Sequence, residues 1–198
     1  EMLGQQLLDI PVKGAYNMHG SLLPKYRGRV PVNWAIIHGE QNCGVSLHEM
    51  VIKPDAGDLV GQKSVPILQN DTAYDVFQKL KCAAESLMME LVPGLAAGTI
   101  NAHPMDLDSG SYFGGRGPED GRIDWKLSAR RIHNLIRAVA PPFPGAFFDT
   151  GSYRVQVLSS HYTGQSARFE KPGIYIENGR FQADCADGNR FMITQLNI

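Results

Sequence analysis

This sequence of 198 residues has too few cysteines for a disulfide framework: it contains three, Cys43, Cys82 and Cys185. They form no CxxC motif and an odd number cannot all pair, which favours buried free thiols, a reducing compartment and a cytoplasmic protein. An excess of charge of one sign is also absent, because the net charge is −1. The sequence therefore lacks the basic character of proteins that bind nucleic acid through its phosphates.

Long apolar runs are absent as well. No stretch of the sequence is long enough to cross a bilayer, so we expect no membrane partner. Hydrophobic residues make up 43% and charged residues 20% of the chain, as in an ordinary globular protein. Residues 2–8 have the pattern of the end of an amphipathic helix, and a strand follows almost at once. We therefore expect the chain to begin inside a domain.

Hydrophobic periodicity divides the chain into an α/β part and a smaller β part. The predicted elements are strands at 12–18, 44–50 and 59–68 and helices at 31–39, 72–93 and 128–140. A stretch rich in Gly, Ser and Pro, residues 109–121, is typical of a linker. After the last helix, Asn178-Gly179 and Asp187-Gly188 predict two hairpin turns. We predict two domains, residues 1–118 and 119–198.

Asn17 and His19 carry the strongest chemical signal. They are two residues apart at the end of the first predicted strand, so their side chains share one face. An amide N–H can hold an oxyanion and an imidazole can move protons, and acyl transfer needs both. A carboxylate stabilises a protonated imidazole. Because neighbouring strands of an α/β sheet end at one edge, we expect Asp55 near His19, while Asp58 is the competing carboxylate, for which a turn role is favoured.

Three motifs occur in an order that resembles the folate-dependent formyltransferase family. They are Asn17-Met-His19 with Ser21-Leu-Leu-Pro24, then Tyr26-Arg-Gly28, then Asp55-Ala-Gly-Asp58. Farther along, the sequence is similar to the C-terminal module of the tRNA and sugar enzymes at Trp125, Arg137 and Pro144-Gly-Ala146. The resemblance covers nearly the whole chain. It implies the C-terminal part of a Rossmann-like α/β catalytic domain, followed by a small OB-like β-barrel domain.

The resemblance also implies roles for individual residues. Asn17, His19 and Asp55 would be the catalytic residues, and 10-formyltetrahydrofolate would be the co-substrate. The implied folate contacts are Arg29, Val51, Ile52, Lys53, Pro54 and Asp55. Arg116 would contact the sugar nucleotide.

Within the family, the motifs are most similar to ArnA-type enzymes, which formylate UDP-4-amino-4-deoxy-L-arabinose. This similarity implies transfer to a UDP-amino sugar, in lipid A modification and polymyxin resistance. Two alternatives stay open: a methionyl-tRNA formyltransferase, which the balanced charge disfavours, and a non-catalytic folate- or nucleotide-binding module. A homo-oligomer or a fused second enzymatic domain is open too. Because family members have a further half before the catalytic loop, we expect this chain to be truncated and inactive by itself.

The remaining polar candidates are weaker. Lys25, Arg27 and Arg29 form a basic cluster that is either a solvated loop or an anion site next to the catalytic motif. His48 is predicted to be a satisfied, half-buried histidine in a strand. No metal is expected, because partners at metal-ligand spacing are missing for His103, His133 and His161.

Overall fold

The computed structural model describes residues 3–198, so part of the predicted opening helix, Met2, lies outside the described residues. The helices are α1 Gln5–Leu8, α2 Pro31–His38, α3 Ala73–Ala97 and α4 Ala129–Ala138. The strands are β1 Tyr16–His19, β2 Arg27–Gly28, β3 Asn42–Glu49, β4 Leu59–Pro66, β5 Tyr112–Phe113, β6 Ala146–Thr150, β7 Tyr153–Ser166, β8 Gly173–Glu177, β9 Arg180–Asp184 and β10 Asn189–Asn197. The predicted mixed α/β class is confirmed.

The chain divides into two compact units. The described part of the first unit consists of the chain up to Trp34, Gln41–Pro66 and Val76–Gly115. The second unit consists of Ala35–Glu40, Ile67–Asp75 and Arg116–Ile198. The domain border between residues 118 and 119 stays a prediction. None of the helices in residues 3–198 has both the length and the apolar character that a membrane span needs.

The first unit contains a three-stranded sheet of order β1–β3–β4, and both pairs are antiparallel. Strand β3 is buried along almost its whole length, Ser46 and His48 included. The expectation that neighbouring strands end at one edge is wrong here, because His19 at the end of β1 lies opposite Ser46. Asp55 must therefore approach His19 through its loop rather than through the ends of parallel strands.

A short parallel ladder joins β2 to β5. The first part of the predicted linker is thus paired with the loop that follows β1. The ring of Phe113 stacks on Tyr26 at 5.4 Å and on Trp34 at 5.1 Å between ring centroids. Gly28 has φ +97°, and a Cβ there would lie 2.2 Å from the carbonyl oxygen of Phe113, so this close pairing requires glycine.

Helix α3 continues through Pro93 to Ala97, four residues beyond the predicted stop. It ends where Gly98 adopts φ +70°. The N–H of Gly98 donates to the carbonyl of Leu95 at 3.2 Å, and the N–H of Thr99 donates to that of Gly94 at 3.0 Å. These two bonds form a Schellman motif, which satisfies the last carbonyls of the helix. The glycine in the left-handed conformation, and not the proline, ends the helix.

The second unit contains a five-stranded antiparallel sheet of order β6–β7–β10–β9–β8. Both predicted hairpin turns are confirmed; in the first, Asn178 and Gly179 have φ +51° and +74°. Helix α4 and the sheet share one core: Ile123, Ala129, Ile132, Ile136, Val139, Ala146, Val157, Ala183, Cys185, Phe191 and Ile193. In the part of the chain that the structure describes, no ladder joins the edge strands β6 and β8. The OB-like barrel stays a prediction.

Candidate active site

Asn17 and His48 lie directly opposite each other in the β1–β3 ladder. The distance between Asn17 Nδ2 and His48 Nε2 is 3.3 Å. The other ring nitrogen, Nδ1, lies 2.7 Å from the carbonyl oxygen of Glu49. Because a carbonyl only accepts, this nitrogen carries a hydrogen and donates. His48 is 2% exposed, so the prediction of a half-buried histidine is wrong. That prediction also did not include the contact with Asn17.

Asp55 completes the group. Its Oδ2 accepts a hydrogen bond from the backbone N–H of Gly28 at 2.8 Å. Its Oδ1 faces two imidazoles and lies 3.6 Å from His19 Nδ1 and 3.4 Å from His48 Nε2. The structure therefore brings the predicted trio of Asn17, His19 and Asp55 together and adds His48 to it.

A tight return of the chain after β3 carries Asp55 to this position. The N–H of Glu49 donates to the carbonyl of Asp58 at 2.9 Å. A Cβ on Gly57 would lie 2.1 Å from the carbonyl oxygen of Glu49, so only glycine permits the return. Asp55 itself has φ +50°, a conformation that Asp and Asn adopt more readily than most residues. Asp58 contributes its backbone carbonyl to this loop.

The surroundings of Asp55 favour its ionised form. Burial raises the pKa of the carboxyl group, but the contact with His48, the amide of Gly28 and the attraction of His19 together lower the pKa below the usual 3.8. Asp55 is therefore a carboxylate at neutral pH. It supplies a negative charge inside a largely buried group of polar side chains.

His19 is held on its other side by the loop that follows β1. His19 Nε2 lies 2.8 Å from the carbonyl oxygen of Tyr26 and donates to it. Tyr26 has φ +58°, and its N–H donates to Ser111 Oγ at 2.9 Å. A left-handed backbone is costly for a bulky residue and is typical of functional loops. Here it directs a carbonyl at the imidazole.

The start of the same loop is anchored on the sheet by Ser46 and Gln62. Ser46 Oγ donates to the carbonyl of Ser21 at 2.6 Å and accepts from the N–H of Leu23 at 3.0 Å. Gln62 Nε2 donates to the carbonyl of Leu23 at 2.7 Å. The loop that carries the Tyr26 carbonyl is thus fixed by side chains of β3 and β4.

A cavity of about 200 Å³ opens beside this group. Its lining residues are Leu3, Leu8, Asn17, His48, Met50, Val51, Ile52, Pro54 and Asp55. Four of the predicted folate contacts are among them. Arg29 and Lys53, both exposed, and His19 are not among the described lining residues.

The other predicted binding residues lie elsewhere. Arg27 is buried, and its Nη2 donates to the carbonyl of Leu107 at 3.3 Å, so it belongs to the interior of the first unit and not to a solvated cluster. Arg116 lies in the second unit and donates to the backbone carbonyl of Asp120. Burial lowers the pKa of Arg116. Its role toward a sugar nucleotide stays a prediction.

The site combines an amide donor, a carboxylate and two imidazoles beside an apolar wall. This set can hold a developing oxyanion and move a proton. Within residues 3–198, no group of three or more His, Cys, Asp or Glu side chains could hold a metal ion. Sequence reasoning missed His48, because its distance from Asn17 depends on the antiparallel register of β1 and β3.

Two family models match the sequence. The model described as formyl transferase matches residues 1–92, and the model of the formyl transferase C-terminal domain matches residues 117–198. Together they leave only a short stretch unmatched, which contains β5.

Solved structures agree with the family matches. An N-formyltransferase from Helicobacter canadensis, in complex with folinic acid and dTDP-3-aminofucose, is 25% identical with a TM-score of 0.78; the alignment covers 90% of this chain and 65% of that one. The formyltransferase PseJ from Anoxybacillus kamchatkensis, in complex with UDP-4,6-dideoxy-4-formamido-L-AltNAc and tetrahydrofolate, is 27% identical over 58% of this chain and 59% of its own, with a TM-score of 0.53. This chain thus spans just under two thirds of the Helicobacter protein.

Proposed function

Because the chain belongs to the formyl transferase family, we propose that it transfers a formyl group from 10-formyltetrahydrofolate to the amine of a nucleotide-linked amino sugar. The observation that carries the proposal is the meeting of Asn17, His19 and Asp55 beside a cavity with an apolar wall. The two similar structures support it, since each is a complex with a folate compound and a sugar nucleotide.

The proposed reaction needs no redox step. The amine nitrogen attacks the formyl carbon, and the carbonyl oxygen becomes an oxyanion that accepts a hydrogen bond from the amide of Asn17. The bond between the formyl carbon and N10 of the folate then breaks. The amine loses one proton and N10 gains one. His19 carries this proton, and Asp55 keeps the imidazole of His19 oriented.

The cavity suits the flat ring of a folate. Leu3, Leu8, Val51, Ile52 and Pro54 supply an apolar wall, while the polar side chains stand together at one end. Ligand sites typically combine an apolar lining with a few polar groups that fix the orientation. We assign residues 51–55 to the folate contact, with Arg29 and Lys53 at its exposed margin.

The sequence motifs are the basis for the proposed acceptor, the amino sugar that receives the formyl group. Their similarity to ArnA-type enzymes favours UDP-4-amino-4-deoxy-L-arabinose, and hence lipid A modification and polymyxin resistance. Arg116 is the proposed contact for the nucleotide. The similar structures in complex with dTDP- and UDP-sugars widen the set of acceptors that must be tested.

The test is release of tetrahydrofolate, followed by absorbance, from the protein as its gene encodes it. The assay supplies 10-formyltetrahydrofolate with UDP-4-amino-4-deoxy-L-arabinose, dTDP-3-aminofucose or methionyl-tRNA. We expect turnover with a sugar nucleotide and none with the tRNA. Turnover with the tRNA alone would overturn the proposal, and folate binding without turnover with any amine would make the protein a binding module.

Replacement of the oxyanion donor tests the role of Asn17. We expect Asn17→Ala to lower kcat by about 10²–10³, the usual effect of losing one such donor. The matched control is Asn70→Ala in the second unit, which should leave kcat unchanged. A rate close to that of the wild type in Asn17→Ala would remove Asn17 from the mechanism.

A further inference from the structure

Ser111 contacts the loop that follows β1 with both its backbone and its side chain. Its Oγ accepts from the N–H of Tyr26 at 2.9 Å, its N–H donates to the carbonyl of Pro24 at 3.2 Å, and its carbonyl accepts from the N–H of Arg27 at 2.9 Å. We propose that Ser111 is a positioning residue whose hydroxyl keeps the Tyr26 carbonyl directed at His19. This inference rests on the proposed function, and Ser111 lies in the stretch that neither family model matches.

The first step of the argument is the backbone of Tyr26. Its φ is +58°, in the left-handed region, which is unfavourable for a bulky residue. Such a conformation persists only where the surroundings hold it. The ring of Tyr26 stacks on Phe113 at 5.4 Å, and its N–H is bound by Ser111 Oγ. The segment that contains Ser111 and Phe113 therefore holds both the side chain and the amide of Tyr26.

The second step concerns the group to which Tyr26 is directed. The Tyr26 carbonyl accepts from His19 Nε2 at 2.8 Å, and His19 is buried. A change in the backbone of Tyr26 moves this carbonyl relative to the ring and so removes the bond that orients the imidazole. Because a small displacement of a reacting group can slow a reaction greatly, the rate depends on this orientation.

The third step separates the hydroxyl of Ser111 from its backbone. The N–H groups of Arg27 and Arg29 donate to the carbonyls of Ser111 and Phe113, both at 2.9 Å. These bonds form the ladder between β2 and β5, and they do not involve the hydroxyl. Ser111→Ala thus removes the acceptor of the Tyr26 N–H and leaves the segment attached to the loop.

The experiment compares Ser111→Ala, Ser111→Thr and, as matched control, Ser109→Ala. Ser109 is an exposed serine of the same unit whose hydroxyl donates to the carbonyl of Asp106. We expect Ser111→Ala to lower kcat in the formyl transfer assay by about 10–10² with little change in the KM for folate, because the lost bond acts on His19 and not on the cavity wall. Ser111→Thr keeps a hydroxyl that can accept from Tyr26 and should keep most of the wild-type kcat, and Ser109→Ala should match the wild type. A Thr variant as slow as the Ala variant would overturn the proposal.

A double-mutant cycle tests whether Ser111 acts through His19. If it does, Ser111→Ala lowers kcat much less when it is added to His19→Ala than when it is added to the wild type. The same factor in both backgrounds would overturn the proposal.

Hydrogen exchange gives a readout that does not need activity. The Tyr26 amide should exchange at least about tenfold faster in Ser111→Ala than in the wild type, while the amides of Arg27 and Arg29 keep their protection. Equal acceleration of all three amides would mean that the whole segment has come loose, and it would overturn the specific role of the hydroxyl.

The two readouts also separate this inference from the proposed function. If the Tyr26 amide alone loses protection and the wild type formylates no amine, the proposed function fails and the hold of Ser111 on Tyr26 stands. If the wild type is active and Ser111→Ala is equally fast, the function stands and the positioning role is overturned.

Discussion

Asp55 combines an unusual backbone conformation with a charge that faces both histidines of the site. Its left-handed backbone and its bond to the Gly28 amide fix the carboxylate, and its charge faces His19 and His48. Asp55→Asn tests the charge alone, because Asn tolerates the same backbone and its oxygen can still accept from Gly28. We expect a folded protein whose kcat is lower by about 10²–10⁴ in the formyl transfer assay. Asp58→Asn, in the same loop, should keep most of the activity.

The pH dependence of stability provides a second test of the Asp55→Asn variant. Because the folded state lowers the pKa of Asp55, its carboxylate contributes stability above the usual value of 3.8 and loses that contribution as the pH falls below it. Between pH 5 and pH 3, urea unfolding should show a smaller fall in the free energy of unfolding for the Asn variant than for the wild type. Equal falls would contradict the favourable environment assigned to the carboxylate.

At the scale of residues, the motifs made the meeting of Asn17, His19 and Asp55 predictable, although Asp55 arrives through its loop and not through the end of a parallel strand. His48 was not predictable. Its contact with Asn17 depends on the two residues lying opposite each other in an antiparallel ladder, and a periodicity of two does not specify the partner strand. The basic residues at 25, 27 and 29 predict either a solvated loop or an anion site, whereas the Arg27 guanidinium is buried and donates to a backbone carbonyl.

At the scale of elements, strand β3 supports the site through a buried hydroxyl. Ser46 is fully buried and holds both Ser21 and Leu23 of the loop after β1. We expect Ser46→Ala to lower the free energy of unfolding by about 1–3 kcal/mol, since it leaves a buried N–H without an acceptor. We also expect lower kcat, because the same loop presents the Tyr26 carbonyl to His19. Denaturant unfolding and the formyl transfer assay measure the two effects.

The matched control for that variant is Ser64→Ala in β4. Ser64 is exposed and makes one long bond, at 3.3 Å, to the carbonyl of Cys43. It should change stability by no more than about 0.5 kcal/mol. A similar loss in both variants would mean that the loop does not depend on Ser46.

Helix and strand positions were largely predictable, but directions and ends were not. The Pro93-Gly94 pair predicts a stop, yet the helix closes at Gly98, where two bonds satisfy its last carbonyls. The strands were located within a few residues, whereas their antiparallel order follows from pairing partners far apart in sequence. Similarly, Gly-rich composition predicts a linker at 109–121, although Tyr112 and Phe113 pair with β2.

At the scale of the whole molecule, the order of an α/β part followed by a β part was predictable from periodicity and turn residues. The buried polar contacts of the second unit were not. His133 is 1% exposed, its Nε2 donates to the carbonyl of Gln69 at 3.0 Å, and its Nδ1 lies 2.8 Å from Ser160 Oγ. The sequence shows only a histidine without metal partners, whereas the fold buries this side chain of helix α4 between Gln69 and Ser160.

Burial of His133 makes the protein sensitive to acid. Burial is the main cause that lowers the pKa of His133 to about 4, against the bond to Gln69, which raises it. As the pH is lowered, His133 is protonated near pH 6.5 in the unfolded chain but only near pH 4 in the folded protein. The free energy of unfolding therefore decreases between pH 6.5 and pH 4. The difference amounts to about 3 kcal/mol at pH 4. Urea unfolding at pH 7 and pH 4.5 should show a smaller fall in the free energy of unfolding for His133→Gln than for wild type, while His103→Gln, an exposed control in the first unit, should behave as wild type. Equal falls in all three proteins would assign the acid sensitivity to other groups.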